Sequence, residues 1–222
     1  MPIDLYMMDA SAPCRAVLLT AKYLGIDINK KYLDLMKKEQ LQPEFVKINP
    51  QHCVPTIDDN GFYLWESRAI LTYLVNQYAP DSELYPKNPK KRALVDRLLY
   101  FDIGTLYKAL ADCVYGTIFK GEPRDPEKEA TLKTTVQVLE DFLEKSPYVA
   151  GDKLSLADIS IIGTLSNARM FAEAIDFDFS AFPHIQAWAK KVKEQLPNYQ
   201  EVTEPAEVQI KAFIEAKKQQ QK

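Results

Sequence analysis

Apolar positions change their period repeatedly over the first third of the chain and keep one period afterwards. Ile3–Met7 is a short, mostly apolar run, which predicts a buried strand. Ser11-Ala12-Pro13 follows, and a serine just ahead of a proline marks a helix start. Ala16, Val17, Thr20, Ala21 and Leu24 then recur at helical spacing until Gly25 stops the run. Leu33 and Leu35 alternate with Tyr32 and Asp34, so a second strand with one apolar face is expected there, led in by Ile26 and Ile28. Strand, helix and strand in that order imply a parallel, right-handed crossover. A short helix over Pro43–Ile48, a third strand over 54–57, a turn at Asp59-Asn60-Gly61 and a fourth strand over 62–64 follow, the last three forming a hairpin. Helical spacing returns over 69–78.

Pro80, Pro86 and Pro89 crowd one stretch and mark a linker. Every later signal is helical. An amphipathic run covers 91–115, and Asp125-Pro126 opens a helix that extends to about Lys145. Ser155-Leu156-Ala157-Asp158 is a capping box ahead of the apolar run 159–165. Phe182-Pro183 opens another helix through Val192, and Pro205 precedes a lysine- and glutamine-rich tail. The order is therefore βαβ-α-ββα, then helices alone: an α/β unit followed by an all-α unit.

Composition narrows the function. The chain has 222 residues, enough for two small domains, and is 46% hydrophobic and 27% charged. A net charge of −3 gives no electrostatic case for nucleic acid or an acidic membrane. No apolar run approaches the roughly 20 residues that span a bilayer. Met1-Pro2-Ile3-Asp4-Leu5 carries no basic leader, so a secretory signal is not expected. The three cysteines, Cys14, Cys53 and Cys113, form neither a CxxC pair nor a zinc spacing, which suits a reducing, cytoplasmic compartment. With only two histidines, His52 and His184, a multi-histidine metal site is not expected.

Candidate chemistry gathers at chain breaks. Trp65-Glu66-Ser67-Arg68-Ala69-Ile70 puts Glu66 and Ser67 in the first turn of a helix. Unpaired N–H groups and the positive dipole end there attract a carboxylate, and Glu66 offers a partner for an ammonium group. An amino-acid head fits both. Arg68 is expected on the exposed side of that turn, solvated or reaching across an interface. Ser11 reads either as a helix cap or as a functional hydroxyl where a thioredoxin-like fold puts its CxxC. Cys14, a turn further in, reads as a small buried hydrophobe. Val54-Pro55 is either a cis step that frees the Val54 backbone for an extended peptide or a trans proline opening an edge strand. His52 lies two residues upstream, solvated or facing a second carboxylate. Tyr107, Tyr115 and Phe119 can share a helix face, as core or as a pocket wall. His184 and Asp158 take structural readings, at a helix start and in the capping box.

Together these blocks resemble the cytosolic glutathione transferases, and the arthropod delta class in particular. The resemblance rests on Ser11-Ala12-Pro13-Cys14-Arg15, Asn49-Pro50-Gln51-His52-Cys53-Val54-Pro55-Thr56, Trp65-Glu66-Ser67-Arg68-Ala69-Ile70 and Phe101-Asp102-Ile103-Gly104-Thr105-Leu106-Tyr107. It implies a thioredoxin-like N-terminal domain over 1–82, an all-helical domain over 90–222 and a homodimer. It also implies conjugation of glutathione, a co-substrate rather than a cofactor, to hydrophobic electrophiles in detoxification; a non-catalytic, ligandin-like carrier is the alternative. By the same resemblance Ser11 donates to the glutathione sulfur and Val54, before Pro55, pairs with the cysteinyl backbone. Glu66 and Ser67 hold the γ-glutamyl head, His52 approaches the glycine carboxylate, and Arg68 orders that end of the site. Asp102 reaches the partner subunit's glutathione, while Tyr107, Tyr115 and Phe119 line the electrophile pocket. Gln40 stands where delta-class chains commonly carry histidine, so it is expected to offer the glycine carboxylate a neutral donor.

Overall fold

The computed structural model describes residues 1–220. Its order is β1 (Ile3–Met7), α1 (Ala12–Leu24), β2 (Ile28–Tyr32), α2 (Pro43–Ile48), β3 (Thr56–Asp59), β4 (Phe62–Trp65) and α3 (Ser67–Tyr78). Then come α4 (Pro89–Phe101), α5 (Tyr107–Val114), α6 (Pro126–Lys145), α7 (Leu156–Ile175), α8 (Pro183–Gln195) and α9 (Tyr199–Gln220). The strands make one sheet, ordered β2-β1-β3-β4, with β1 parallel to β2 and the other neighbours antiparallel.

Register decides where a site can form. Met7 pairs with Tyr32, Tyr6 with Thr56, and Thr56 with Trp65. The ends of β1, β2 and β4 and the start of β3 therefore meet at one edge of the sheet. Segments 8–11, 33–42 and 49–55 and the Glu66 junction all leave there. Alternation in β1 sends Ile3, Leu5 and Met7 into a core with Val17, Ile57, Leu71 and Leu74. Tyr6, on the other face, packs edge-on against Phe45 of α2, ring centroids 5.4 Å apart.

Two strands differ from the pattern-based expectation. β2 lies at Ile28–Tyr32, ahead of the alternation at 32–35. It is an edge strand with Asn29, Lys30, Lys31 and Tyr32 exposed, so burial imposes no alternation on it, and pairing with β1 fixes its place. β3 starts at Thr56 instead of residue 54, because Pro55 has no N–H to give a ladder.

The helix expected over 91–115 begins at Pro89, capped by the Asn88 side chain, and passes into π-helical turns at Asp102–Leu106 and Tyr115–Lys120. Flanking dihedrals stay helical (φ −59, ψ −43 at Phe101; φ −62, ψ −40 at Tyr107), so apolar spacing does not reveal the breaks. Each π turn contains a glycine, Gly104 or Gly116. The capping box at Ser155 forms as expected, and Asp158 also accepts from Val149 N and Trp188 Nε1, tying α7 to α8. His184 is structural as read: Glu140 accepts from its backbone N–H and lies 2.8 Å from its Nδ1. Pro205 sits inside α9, which carries the lysine- and glutamine-rich stretch that follows it. Where α7 crosses α1, a Cβ on Gly163 would stand 3.2 Å from the Ala12 carbonyl oxygen.

Candidate active site

Ser11 is the N-cap of α1, and its Oγ accepts from the Cys14 N–H at 3.4 Å. A hydroxyl that accepts still has its hydrogen to give. Cap and functional donor are therefore compatible roles, not rivals. Cys14 is fully buried and desolvation pushes its thiol up to about 11, with the Ser11 hydrogen bond working in the opposite direction. It is an inert core residue.

Val54-Pro55 is cis, and Val54 lies outside the β1–β3 register, which begins at Thr56. Asn49, fully buried, holds this turn by donating from Nδ2 to the Cys53 carbonyl (3.1 Å) and Thr56 Oγ1 (2.9 Å). His52 is exposed and takes a positive φ of 45°. Gln40 is half-buried, and its Oε1 is buried with no protein partner.

Glu66 precedes α3 with φ 69°, a left-handed conformation that costs a non-glycine residue about 1–3 kcal/mol and clusters at ligand clamps. Its side chain is exposed. Ser67 is buried, and its Oγ accepts from Arg68 Nη1 at 2.9 Å. Arg68 departs from expectation. Its side chain is only 12% exposed and turns inward to a fully buried Asp102, Nη2 to Oδ2 at 2.5 Å. Ser160 and Thr164 on α7 donate to the same carboxylate at 2.5 and 2.8 Å. Within its own chain Asp102 thus gathers Arg68, Ser160 and Thr164 with no exposed surface. The Arg68 guanidinium also stands 5.6 Å from the Tyr107 ring centroid. Burial raises the Tyr107 phenol and the Arg68 charge opposes that rise.

A cavity of about 550 Å³ opens at this sheet edge. Ser11, Gln40, His52 and Val54 line one side, and Tyr107, Tyr115 and Phe119 line the other. Pro55, Glu66, Ser67, Arg68 and Asp102 are not among its lining residues. The sheet register nevertheless sets Glu66 next to Val54-Pro55, since Thr56 and Trp65 are partners. Tyr115 stacks on Phe119 at 5.3 Å, and Phe119 meets Phe171 of α7 at 6.4 Å and Phe213 of α9 at 5.1 Å. Sequence reasoning missed Phe171 and Phe213. Both are apolar positions on helices distant in sequence, and only the packing of α7 and α9 brings them to Phe119.

Comparison with known proteins agrees with this geometry. Residues 1–76 match the family model of the glutathione S-transferase N-terminal domain, and residues 71–195 that of the C-terminal domain. The chain belongs to the glutathione S-transferase family: it is a glutathione transferase, an enzyme that conjugates glutathione. A delta-class glutathione transferase of Nilaparvata lugens is 49% identical, covering 97% of this chain and 100% of that one, with a TM-score of 0.91. A Bombyx mori glutathione transferase is 42% identical over 96% of this chain and 98% of its own, with a TM-score of 0.90. An epsilon-class housefly (Musca domestica) enzyme is 37% identical over 97% and 98%, with a TM-score of 0.88. Among the described residues no helix is long and apolar enough to cross a membrane.

Proposed function

We propose that Ser11 activates the glutathione thiol and that the resulting thiolate attacks hydrophobic electrophiles held against Tyr107, Tyr115 and Phe119. One observation carries this reading: the Ser11 hydroxyl, at the N-terminus of α1, shares a cavity with the aromatic wall. An ordinary thiol, pKa about 8.5, is only about 3% thiolate at neutral pH. Lowering that value to about 6.5 makes roughly three quarters thiolate and takes about 2.7 kcal/mol of selective stabilisation. A hydrogen bond to a charged sulfur supplies about 1.5–3 kcal/mol. The helix end adds about 0.3–1 kcal/mol. Together they suffice.

The remaining roles follow the sheet edge. Val54, ahead of Pro55, pairs its backbone with the cysteinyl part of the tripeptide. Glu66 takes the γ-glutamyl ammonium, and Ser67 with the α3 N-terminus takes its carboxylate. Gln40 and His52 meet the glycine carboxylate, Gln40 as a neutral donor. Arg68 acts behind them by fixing Ser67. The enzyme works as a cytoplasmic homodimer, consistent with exposed Phe62 and Tyr63 on edge strand β4 and exposed Leu94 and Tyr100 on α4. Glutathione-dependent conjugation of a chlorinated nitrobenzene tests the activity, and light scattering of the same sample should read the mass of two chains. No turnover above the uncatalysed rate would refute the reading.

Substituting Glu66 or Ser67 by alanine should raise the glutathione KM several-fold and lower kcat less. Their contacts are remote from the sulfur, hence similar in ground and transition states. Losing a hydrogen bond to a charged group, about 1.5–3 kcal/mol, sets the ceiling of that rise. Steady-state kinetics with glutathione varied would check it, and a collapsed kcat at unchanged KM would contradict a binding role.

A further inference from the structure

Arg15 is a cation that the proposed chemistry has not used. It lies in the first turns of α1, only 1% exposed, and among the described residues its guanidinium hydrogen-bonds to neutral acceptors. Nη1 donates to the Asp9 carbonyl at 2.8 Å. Nη2 donates to Ser166 Oγ at 2.8 Å and to Asn167 Oδ1 at 2.5 Å, both on α7. Asn167 closes the loop by donating from Nδ2 to the Ala10 carbonyl at 3.2 Å. Ser166 is itself fixed, its Oγ donating to the Gly163 carbonyl at 2.7 Å. The Ser11 N–H donates to Met8 O at 3.1 Å. The segment that ends at Ser11 is therefore held at successive backbone groups, two of them from one buried network.

A serine side chain is one carbon long, so the backbone under it sets where Oγ can sit, and the hydroxyl hydrogen then turns about Cβ–Oγ toward its acceptor. The worth of such a donor falls steeply with misalignment. We propose that Arg15 and Asn167 are positioning residues for thiol activation: they fix the backbone of residues 9–11 and so aim the Ser11 hydroxyl at the sulfur. This rests on the reading of Ser11 as the donor to glutathione. Planar guanidinium geometry suits the task, because one rigid fork reaches the loop and α7 together, which a lysine ammonium does not reproduce. Charged and titratable groups facing this floor are Asp9 in the loop, Cys14 on α1, His52 and Cys53 ahead of β3, Tyr107 and Tyr115 across the cavity, and Tyr199 and Glu207 on α9. They stay constant in every variant below.

The test is a pH titration of the bound thiolate by its ultraviolet absorbance, with kcat and KM, on Asn167→Leu, Arg15→Lys, Ser11→Ala and the double variant Ser11→Ala/Asn167→Leu. Asn167→Leu should raise the bound thiol pKa by about one unit, cutting the thiolate at neutral pH about threefold. The glutathione KM should stay within about twofold. In the Ser11→Ala background the same substitution should add nothing, because its effect runs through Ser11. Arg15→Lys, which keeps the charge and loses the fork, should resemble Asn167→Leu. An equal rise in both backgrounds, or no rise in Asn167→Leu while Ser11→Ala does shift, overturns the proposal. An Arg15→Lys enzyme titrating as the native one overturns the role of the fork. A Ser11→Ala enzyme with an unshifted thiol removes the reading of Ser11 beneath it. Should Arg15→Lys not fold, the Asn167 pair decides alone.

Discussion

Replacing Ser11 by alanine should slow conjugation about eightfold at neutral pH and leave glutathione affinity nearly intact. In the proposed role the hydroxyl hydrogen bond favours thiolate over thiol, and losing about 2 kcal/mol of that preference would raise the sulfur pKa by roughly 1.5 units. From a starting value of about 6.5, the thiolate fraction at neutral pH drops from roughly three quarters to about one tenth. The tripeptide keeps its contacts along the sheet edge, so the KM for glutathione should change little. The pH–rate profile should move to higher pH, and turnover at alkaline pH should approach that of the native enzyme. Ser11 is also the cap of α1, accepting from Cys14 N, so stability should fall by about 1 kcal/mol. An apparent pKa that does not move would remove Ser11 from the chemistry and leave it as a cap only.

A larger loss of stability is expected from Asp102→Ala. Its carboxylate gathers Arg68, Ser160 and Thr164 with no exposed surface. Removing it strands a nearly buried guanidinium, a change worth about 3–5 kcal/mol. For a chain of this length each kcal/mol lowers the melting temperature by about 2–4 °C, so a drop of about 10 °C is expected in calorimetry at fixed protein concentration. The glutathione KM should rise too, because Arg68 then no longer steadies Ser67 from behind. The double variant Arg68→Met/Asp102→Leu separates the two effects. It removes both charges at once, so it should recover much of the stability. The raised KM should persist. A melting temperature unchanged in the single variant would contradict the buried-pair account.

Much of this was legible in the sequence, for identifiable reasons. Helix ends carry local chemistry: Gly25 stops α1 in a left-handed conformation, φ 68°, and Asp125 caps α6. The capping box at Ser155 is a local signal of the same kind. β2 escaped because an exposed edge strand owes its position to a partner, and a period-2 pattern appears only where one face is buried. Arg68 turns inward against its local pattern for a related reason. Its spacing says first turn of a helix, but its direction is set by Asp102, which is 34 positions away in sequence. Phe171 and Phe213 were invisible as wall residues because nothing local distinguishes a phenylalanine facing a cavity from one facing core. Nothing local marks Arg15 as buried, since a basic residue in a first helical turn normally reads as solvated surface.

The seam at Gly163 carries a consequence for how the two halves of the reaction stay apart. One side of the cavity comes from loops leaving the sheet, the other from helices α5, α7 and α9. One of their contacts is the Gly163 backbone against the Ala12 carbonyl, one residue past Ser11. A backbone-to-backbone contact has no rotamers to yield, and a close-packed interior transmits displacement without absorbing it. At this crossing α1 and α7 approach with no side chain between them to flex. Any side chain added at residue 163 would press on the Ala12 carbonyl and so on the end of α1 that carries Ser11.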